Sequence, residues 1–331
     1  MGRKLLIGCA GFLAIVALVA VAATYLWGPA YGIALLGRPV FVVPPTPERY
    51  AAAVLDTAAS RGMHASSDEF TRARAEAEAA ADQADDISEI HDELDAALTA
   101  AGGRHSGLIT SGQMEEALAQ PVEQPTVTVD GGVATATVPA HLVEHDGQAY
   151  ADRLAHGIHD VVADGVCGVI VDLRGNSGGD MGPMLAGLSG LLPDGAALSF
   201  VNLHSAQPVS VEGNAVGGGG SPVSVDGVGK YAVPVAVLVD SGTGSSGEMT
   251  MLAFRGLPHS RSFGEPTAGY ATANTIFNMP DGAQVMLTTA EVRDRTGENF
   301  GDAPVGPDEV TGAEQAAEAA IGWLAYEHGC R

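Results

Sequence analysis

The apolar run Val235-Ala236-Val237-Leu238-Val239 is followed by Thr243-Gly244-Ser245-Ser246-Gly247-Glu248, and then by Met249 to Phe254 without a glycine or proline. A strand, a tight Gly/Ser turn and a helix in that order constrain the chain strongly. The arrangement sets a serine hydroxyl at a helix N-terminus, where free backbone N–H groups can stabilise an oxyanion. Gly168 to Leu173 is a second buried strand of the kind found in helix-covered sheets, and Gln148 to Ala163 reads as an amphipathic helix before it. Strand, helix, strand order points to an α/β core. Nothing adjacent to Ser245 in sequence can accept its proton, so a base has to come from elsewhere in the chain.

With 331 residues the chain is long enough for roughly two domains. Its hydrophobic fraction of 46% against 17% charged residues excludes disorder throughout. The 16 basic and 40 acidic residues give a net charge of −24, which repels a polyanion and excludes nucleic acid as a partner, whereas a cationic peptide is attracted. The three cysteines, Cys9, Cys167 and Cys330, suggest neither a disulfide framework nor a C-x-x-C metal site. Leu6-Ile7-Gly8-Cys9 loosely resembles a lipoprotein cleavage box, but almost no apolar sequence precedes it.

From Leu5 to Trp27 no side chain is charged. At about 1.5 Å per residue that run reaches across a hydrocarbon core of about 30 Å, so it reads as a transmembrane signal anchor. Arg3 and Lys4 precede it, which places the N-terminus in the cytoplasm and the remaining chain outside, with Tyr25, Trp27 and Tyr31 at the far interface. A cleaved signal peptide is the alternative, since Ala20-Val21-Ala22 matches a small-x-small site.

The sequence then divides into an expected tether at 29–45, with Arg38 to Pro45 extended by its prolines, and a helical N-terminal domain at 46–103. Thr46-Pro47-Glu48 starts the first helix, and an acidic, Ala-rich region from Ser67 to Ala101 carries the rest as a helical hairpin with an apolar stripe of Ile87, Ile90, Leu94 and Leu98. The core is expected over 104–331. Thr126–Val129 and Val133–Val138 flank Asp130-Gly131-Gly132 as a hairpin, and Thr275–Met279 and Gln284–Thr289 read as strands. The chain closes with a helix near Gly312–Tyr326. Residues 204–230, with Gly217 to Gly220, read as a mobile flap.

Five landmarks occur in order: Asp172-Leu173-Arg174-Gly175-Asn176-Ser177-Gly178-Gly179, Thr243 to Glu248, Gly264-Glu265-Pro266-Thr267-Ala268-Gly269, Pro280-Asp281-Gly282, and Pro307-Asp308. Together they resemble the C-terminal processing (tail-specific) serine peptidases. The resemblance implies a ClpP/crotonase-like α/β (α+β) core without a PDZ domain. It also implies Ser245 as nucleophile, and an oxyanion hole from the backbone N–H of Ser246 and of Gly178 or Gly179. Most of that family uses a lysine about 25 residues after the serine; here the position is Tyr270, and no lysine follows Lys230.

Histidine is the usual alternative base. His105, within Gly102-Gly103-Arg104-His105-Ser106, resembles the Gly-Gly-x-His-Ser element of the nisin-resistance subgroup, which is membrane-anchored, lacks the PDZ insertion and uses a Ser-His dyad. That subgroup carries Thr-Ala-Ser-Ser-Ala-Glu where this chain has Gly244 and Gly247. His141, His145 and His259 are weaker candidates as base, and His156 and His159 have metal-ligand spacing without a partner cluster. Glu248 either supports the site by orienting His105 or holding a substrate amine, or simply favours the helix dipole, and Glu298 and Asp302 are further candidate orienting acids. The expected function is a membrane-anchored, cofactor-free and metal-free serine endopeptidase acting on a peptide or unstructured protein, cationic ones such as lantibiotics included. A catalytically silent, peptide-sequestering homologue is the alternative.

Overall fold

The structure, a computed structural model, describes residues 2–202 and 204–330. Met1 and Arg331, where the outer limits of the expected domains fall, and Leu203 lie outside the described residues. The chain forms two compact units, residues 1–119 with 274–289, and residues 120–273 with 290–331.

The first unit is mostly helical. Its helices are α1 (Gly2–Leu36), α2 (Pro47–Arg61), α3 (Asp68–Ala81), α4 (His91–Gly102) and α5 (Ser111–Leu118), with a 3-10 turn at Ile87–Ile90. Ser67 caps α3 by accepting from Phe70 N–H at 3.0 Å. Tyr50, Leu55, Phe70, Ile90, Leu94 and Leu98 bury their side chains together with Leu108 of β1 (Gly107–Ile109) and with Phe277, Val285 and Leu287. The last three belong to β11 (Thr272–Asn278) and β12 (Gln284–Asp294), so the helical region expected at 46–103 shares its core with residues beyond it. The Asp281 landmark ties the hairpin to the helices by accepting from Tyr50 OH at 3.0 Å and lying 3.1 Å from His91 Nε2. The stretch Phe12–Leu36 of α1 is long and apolar enough to cross a membrane. The helix continues past the expected boundary at residue 28, through Pro29 to Leu36, so residues 29–36 are helical and only 37–46 form an irregular connection.

The second unit holds a sheet of six strands in the order β14-β10-β9-β4-β3-β2. These strands are β2 (Thr126–Asp130), β3 (Val133–Thr137), β4 (Gly168–Asp172), β9 (Val235–Val239), β10 (Ser260–Gly264) and β14 (Glu309–Val310). All neighbours from β3 to β14 are parallel, and only the edge hairpin partner β2 is antiparallel. Alternation sorts β4 and β9 between two cores. Val169, Val171, Val237 and Val239 pack with α6 (Gly147–Ala163), α7 (Met181–Gly187) and α8 (Ser246–Phe254), while Ile170, Ala236 and Leu238 pack against α9 (Ala316–His328).

A second set, β5 (Gly195–Val201), β6 (Ala206–Glu212), β7 (Ala215–Gly217) and β8 (Val223–Ser224), continues by antiparallel pairing from the last residues of β12, which also pair with β13 (Asn299–Phe300). The segment 204–230, expected as a flap, contains the three strands β6, β7 and β8, with Val209, Val211, Val216 and Val223 in the core. Its glycines serve close packing: a Cβ on Gly218 would lie 2.1 Å from Pro208 O, and one on Gly220 would lie 2.3 Å from Asp180 Oδ1. Cysteine usage needs a correction as well. Cys167, just before β4, and Cys330, just after α9, form a disulfide, a pairing across 163 residues that spacing alone does not reveal.

Candidate active site

The C-terminal ends of β4, β9 and β10 lie side by side, and each runs into one of the motif loops. In an open parallel sheet this edge is where a ligand crevice forms. Backbone bonds stitch the three loops together. Gly244 N–H donates to Asn176 O at 2.9 Å, Thr243 Oγ1 donates to Leu173 O at 2.8 Å, and Ala268 N–H donates to Thr243 O at 2.8 Å. Asn176 is the organiser of the first loop: its buried amide donates to Val138 O at 2.7 Å and accepts from Gly178 N–H at 2.9 Å.

Ser245 is the N-cap of α8 and the single non-glycine residue with positive φ among the described residues, at φ 49° and ψ −118°. Such a conformation costs on the order of 1–3 kcal/mol and persists only where the surroundings over-determine it. Here Ser245 N–H is held by Glu248 Oε2 at 2.8 Å and its carbonyl by Met249 N–H at 3.0 Å. A strained serine on a strand-to-helix turn is the geometry that projects a nucleophile clear of the backbone.

Gly178 lies against this turn. A Cβ there would fall 2.7 Å from Ser245 Cβ and 3.0 Å from Ser246 N, so only glycine allows the approach. Ser246, first residue of α8, has an N–H with no intrahelical acceptor. Its hydroxyl donates to Gly179 O at 2.6 Å, fixing the two loops to each other. Since Gly178 N–H is engaged by Asn176, the Gly179 N–H is the free one of the glycine pair among the described residues.

Glu248 is fully buried and its carboxylate accepts four bonds. They come from Ser245 N–H (2.8 Å), Gly269 N–H (2.9 Å), Tyr270 N–H (2.7 Å) and the Thr267 hydroxyl. A buried carboxylate needs such compensation. It clamps the Ser245 turn to the 265–270 loop, which gives the Gly-Glu-x-Thr landmark a physical meaning. Tyr270, at the position where a lysine was sought, lies near Gly244. Lys230 is committed elsewhere, donating to the carbonyls of Ser189 and Leu192 at 3.0 Å each and pairing with Asp194.

His105 belongs to the first unit, in the turn between α4 and β1. The Gly-Gly-x-His-Ser element builds that turn. Gly103 adopts φ 88°, and a Cβ on Gly102 would fall 2.1 Å from Ser106 Oγ. Ser106 Oγ accepts from Thr288 N–H at 2.9 Å, and His105 O accepts from Asn274 Nδ2 at 3.2 Å. The imidazole is 9% exposed, and burial, reinforced by Arg104, pushes its pKa down to about 4. It is therefore neutral, and able to accept a proton, throughout the neutral range.

His141 forms a bridge to Gly179, with its ring 4.6 Å from that of Tyr150; both ring nitrogens are buried without a partner, and burial lowers its pKa. His145 stacks edge-on beside it at 5.9 Å. His259 precedes β10, at the opposite end of the strands from Ser245. His156 and His159 contact Asp226 O (3.0 Å) and Tyr231 OH (2.6 Å) separately, and no group of three metal-ligating side chains occurs among the described residues. Glu298 is exposed beside Arg255 at 3.9 Å, while Asp302 has a buried Oδ1 with no partner. Asn176 and Thr267 were legible as motif letters but not as the residues that hold the loops.

The model of the S41 peptidase family matches residues 141–311. The chain belongs to peptidase family S41. The nisin-resistance protein of Lactococcus lactis subsp. lactis is 33% identical over 332 residues, 98% of each chain. A carboxyl-terminal-processing protease of a Synechocystis strain is 28% identical over 171 residues, 51% of this chain and 36% of that protein. Among solved structures, a lipoprotein from Streptococcus agalactiae superposes with a TM-score of 0.73 at 26% identity, covering 87% of this chain and 99% of that one. The photosystem II D1 C-terminal processing protease, at 13% identity, shares the fold with a TM-score of 0.56, covering 87% and 97%. The S41 match contains Ser245 and the loops at 173–180 and 264–270. His105 precedes it, in the region shared with the nisin-resistance protein.

Proposed function

We propose that this S41 family member is a membrane-anchored, extracytoplasmic serine endopeptidase working through Ser245 and His105. Ser245 Oγ attacks the scissile carbonyl as the neutral imidazole of His105 takes its proton. The N–H groups of Ser246 and Gly179 receive the oxyanion. His105 then returns the proton to the leaving amine, and water hydrolyses the acyl-enzyme by the same exchange in reverse. The observation that carries this reading is the strained Ser245 backbone, held by Glu248 and met by the close approach of Gly178. A structural turn has no need of that strain.

An oxidising compartment supports the topology, since the Cys167–Cys330 disulfide fits a core exported across the membrane by α1. The charge of −24 and the likeness to a nisin-resistance protein favour a cationic, extended peptide as substrate. The alternative, a peptide-sequestering homologue without turnover, draws on Tyr270 in place of lysine.

Fluorophosphonate labelling of the full chain tests the reading. Labelling at Ser245, abolished in Ser245→Ala and reduced at least about 100-fold in His105→Ala, is expected for a base-assisted nucleophile. Peptide cleavage that survives Ser245→Ala refutes the mechanism, and tight peptide binding without labelling establishes the sequestering alternative.

A further inference from the structure

α1 is a helix of 35 residues, about 52 Å long, whereas a bilayer core takes only about 30 Å. Its last turns therefore lie beyond the hydrocarbon, and the packing there is specific. Pro29 has no N–H to give to the carbonyl of Tyr25, one turn earlier. That carbonyl is taken instead by Arg49 Nη2 of α2 at 2.5 Å, and the same guanidinium stacks over the Tyr25 ring at 3.7 Å. The charged helix α2 cannot enter hydrocarbon, so Tyr25 marks the membrane boundary.

The connection after α1 does not lead away from this boundary. It turns back along the helix: Arg38 N–H donates to Gly32 O at 3.4 Å, and Val40 N–H donates to Gly28 O at 3.2 Å. Gly28 and Gly32 permit this, since a Cβ on either would fall within 2.6 Å of the returning backbone. The chain at Phe41 thus comes back toward Tyr25, its ring 5.8 Å from the same Arg49 guanidinium. Val42 and Val43 come next, 41% and 53% exposed, and on α1 itself Trp27, Tyr31 and Leu35 form an exposed stripe at helical spacing, 57%, 65% and 79% exposed. An apolar loop returning to the height of Gly28, with Trp27 and Tyr31 within about one helical turn of that height, matches the boundary between acyl chains and headgroups. Arg38, the first charge after the uncharged run, is exposed about one turn of helix farther out, at the height of Gly32.

We propose that Phe41, Val42 and Val43, with Trp27 and Tyr31, form a second membrane contact that dips into the outer-leaflet boundary of a phospholipid bilayer, with Arg38 meeting lipid phosphate. The proposal rests on the reading that α1 spans the membrane. It gives the first unit a fixed seat on the bilayer, so that His105 and its neighbours are held at a set height above the surface where cationic peptides accumulate.

Depth measurement by spin labels tests it. Leu13→Cys, Val43→Cys and Gln83→Cys are each made in a full-length Cys9→Ser background, labelled, and reconstituted in vesicles of phosphatidylcholine with phosphatidylglycerol. Collision with oxygen and with an aqueous nickel chelate reports depth. We expect Leu13 in the core, Val43 at the boundary with nickel access reduced several-fold, and Gln83 fully in water. Val43 as accessible to nickel as Gln83, with Leu13 still in the core, overturns the loop contact and leaves the span intact. Leu13 in water overturns the span itself. Spin-spin broadening at Val43 that vanishes on dilution with unlabelled protein overturns the lipid contact in favour of a second copy.

Discussion

Gly247→Ala isolates the coupling between the Ser245 turn and the glycine loop. Gly247 is in the first turn of α8, where replacing glycine by alanine ordinarily gains about 0.5–1 kcal/mol. Here a Cβ would lie 2.5 Å from Asn176 O and 3.1 Å from Asn176 Oδ1. Contact requires roughly 3.4 Å or more, so one loop must retreat by nearly 1 Å. Overpacking of that kind costs about 1–3 kcal/mol, which set against the helix gain leaves a net loss of up to about 2.5 kcal/mol. Asn176 Oδ1 also holds Gly178 N–H, so the retreat displaces the loop that lies on Ser245. Gly244→Ala is the matched control. Its Cβ would meet Ser177 O, the Ala268 Cβ and the Tyr270 ring at 3.4–3.7 Å, which is ordinary contact. Calorimetry and fluorophosphonate labelling read both effects. We expect Gly247→Ala to lower Tm by several degrees and slow labelling at least tenfold, with Gly244→Ala within about 0.5 kcal/mol of the parent. If Gly247→Ala labels and melts like the parent, or Gly244→Ala is the more damaging, the account of loop coupling is wrong.

Two further outcomes concern stability. The pKa of His105 lies at about 4 when folded against an ordinary 6.5, so the unfolded chain binds a proton that the fold refuses between those values. Its contribution is complete above pH 6.5 and declines by about 3 kcal/mol as pH falls to 4; denaturant titrations at pH 7 and 4.5 in the parent and in His105→Gln should diverge, and parallel curves would exclude the effect. Removing the disulfide across 163 residues, by reduction or Cys330→Ser, should cost about 4–5 kcal/mol by loop-closure entropy. Thiol titration of the denatured, unreduced chain should then find one reactive cysteine, Cys9, and a count of three would disprove the bond.

The order of elements was legible because hydrophobic period and turn residues determine it. β4 and β9 are runs without a polar face, and the hairpin at Asp130-Gly131-Gly132 is written in its turn. In residues 204–230 glycine reads as freedom in sequence, and the structure adds that Gly218 and Gly220 let Pro208 and Asp180 come close. The Cys167–Cys330 pair was hidden for the opposite reason, since only the packing of α9 under β4 brings the two cysteines together.

The same reasoning explains why Ser245, the proposed nucleophile, stands out in sequence while the groups that hold its turn do not. A nucleophile turn needs glycines at fixed offsets, and those offsets survive in sequence as a motif. Its supports act through backbone atoms: Glu248 receives three main-chain N–H groups, and Asn176 O receives Gly244 N–H. Backbone donors carry no residue identity, so nothing in the sequence of 265–270 says that it is clamped to α8. Gly178 shows the limit from the other side. It looks like an oxyanion donor by its position, but its N–H is bound by Asn176, and what it contributes is the absence of a Cβ, which lets Ser245 and Ser246 N–H stand beside the free N–H of Gly179. Gly178→Ala should therefore impair labelling through steric displacement of Ser245 even though it leaves every backbone N–H in place.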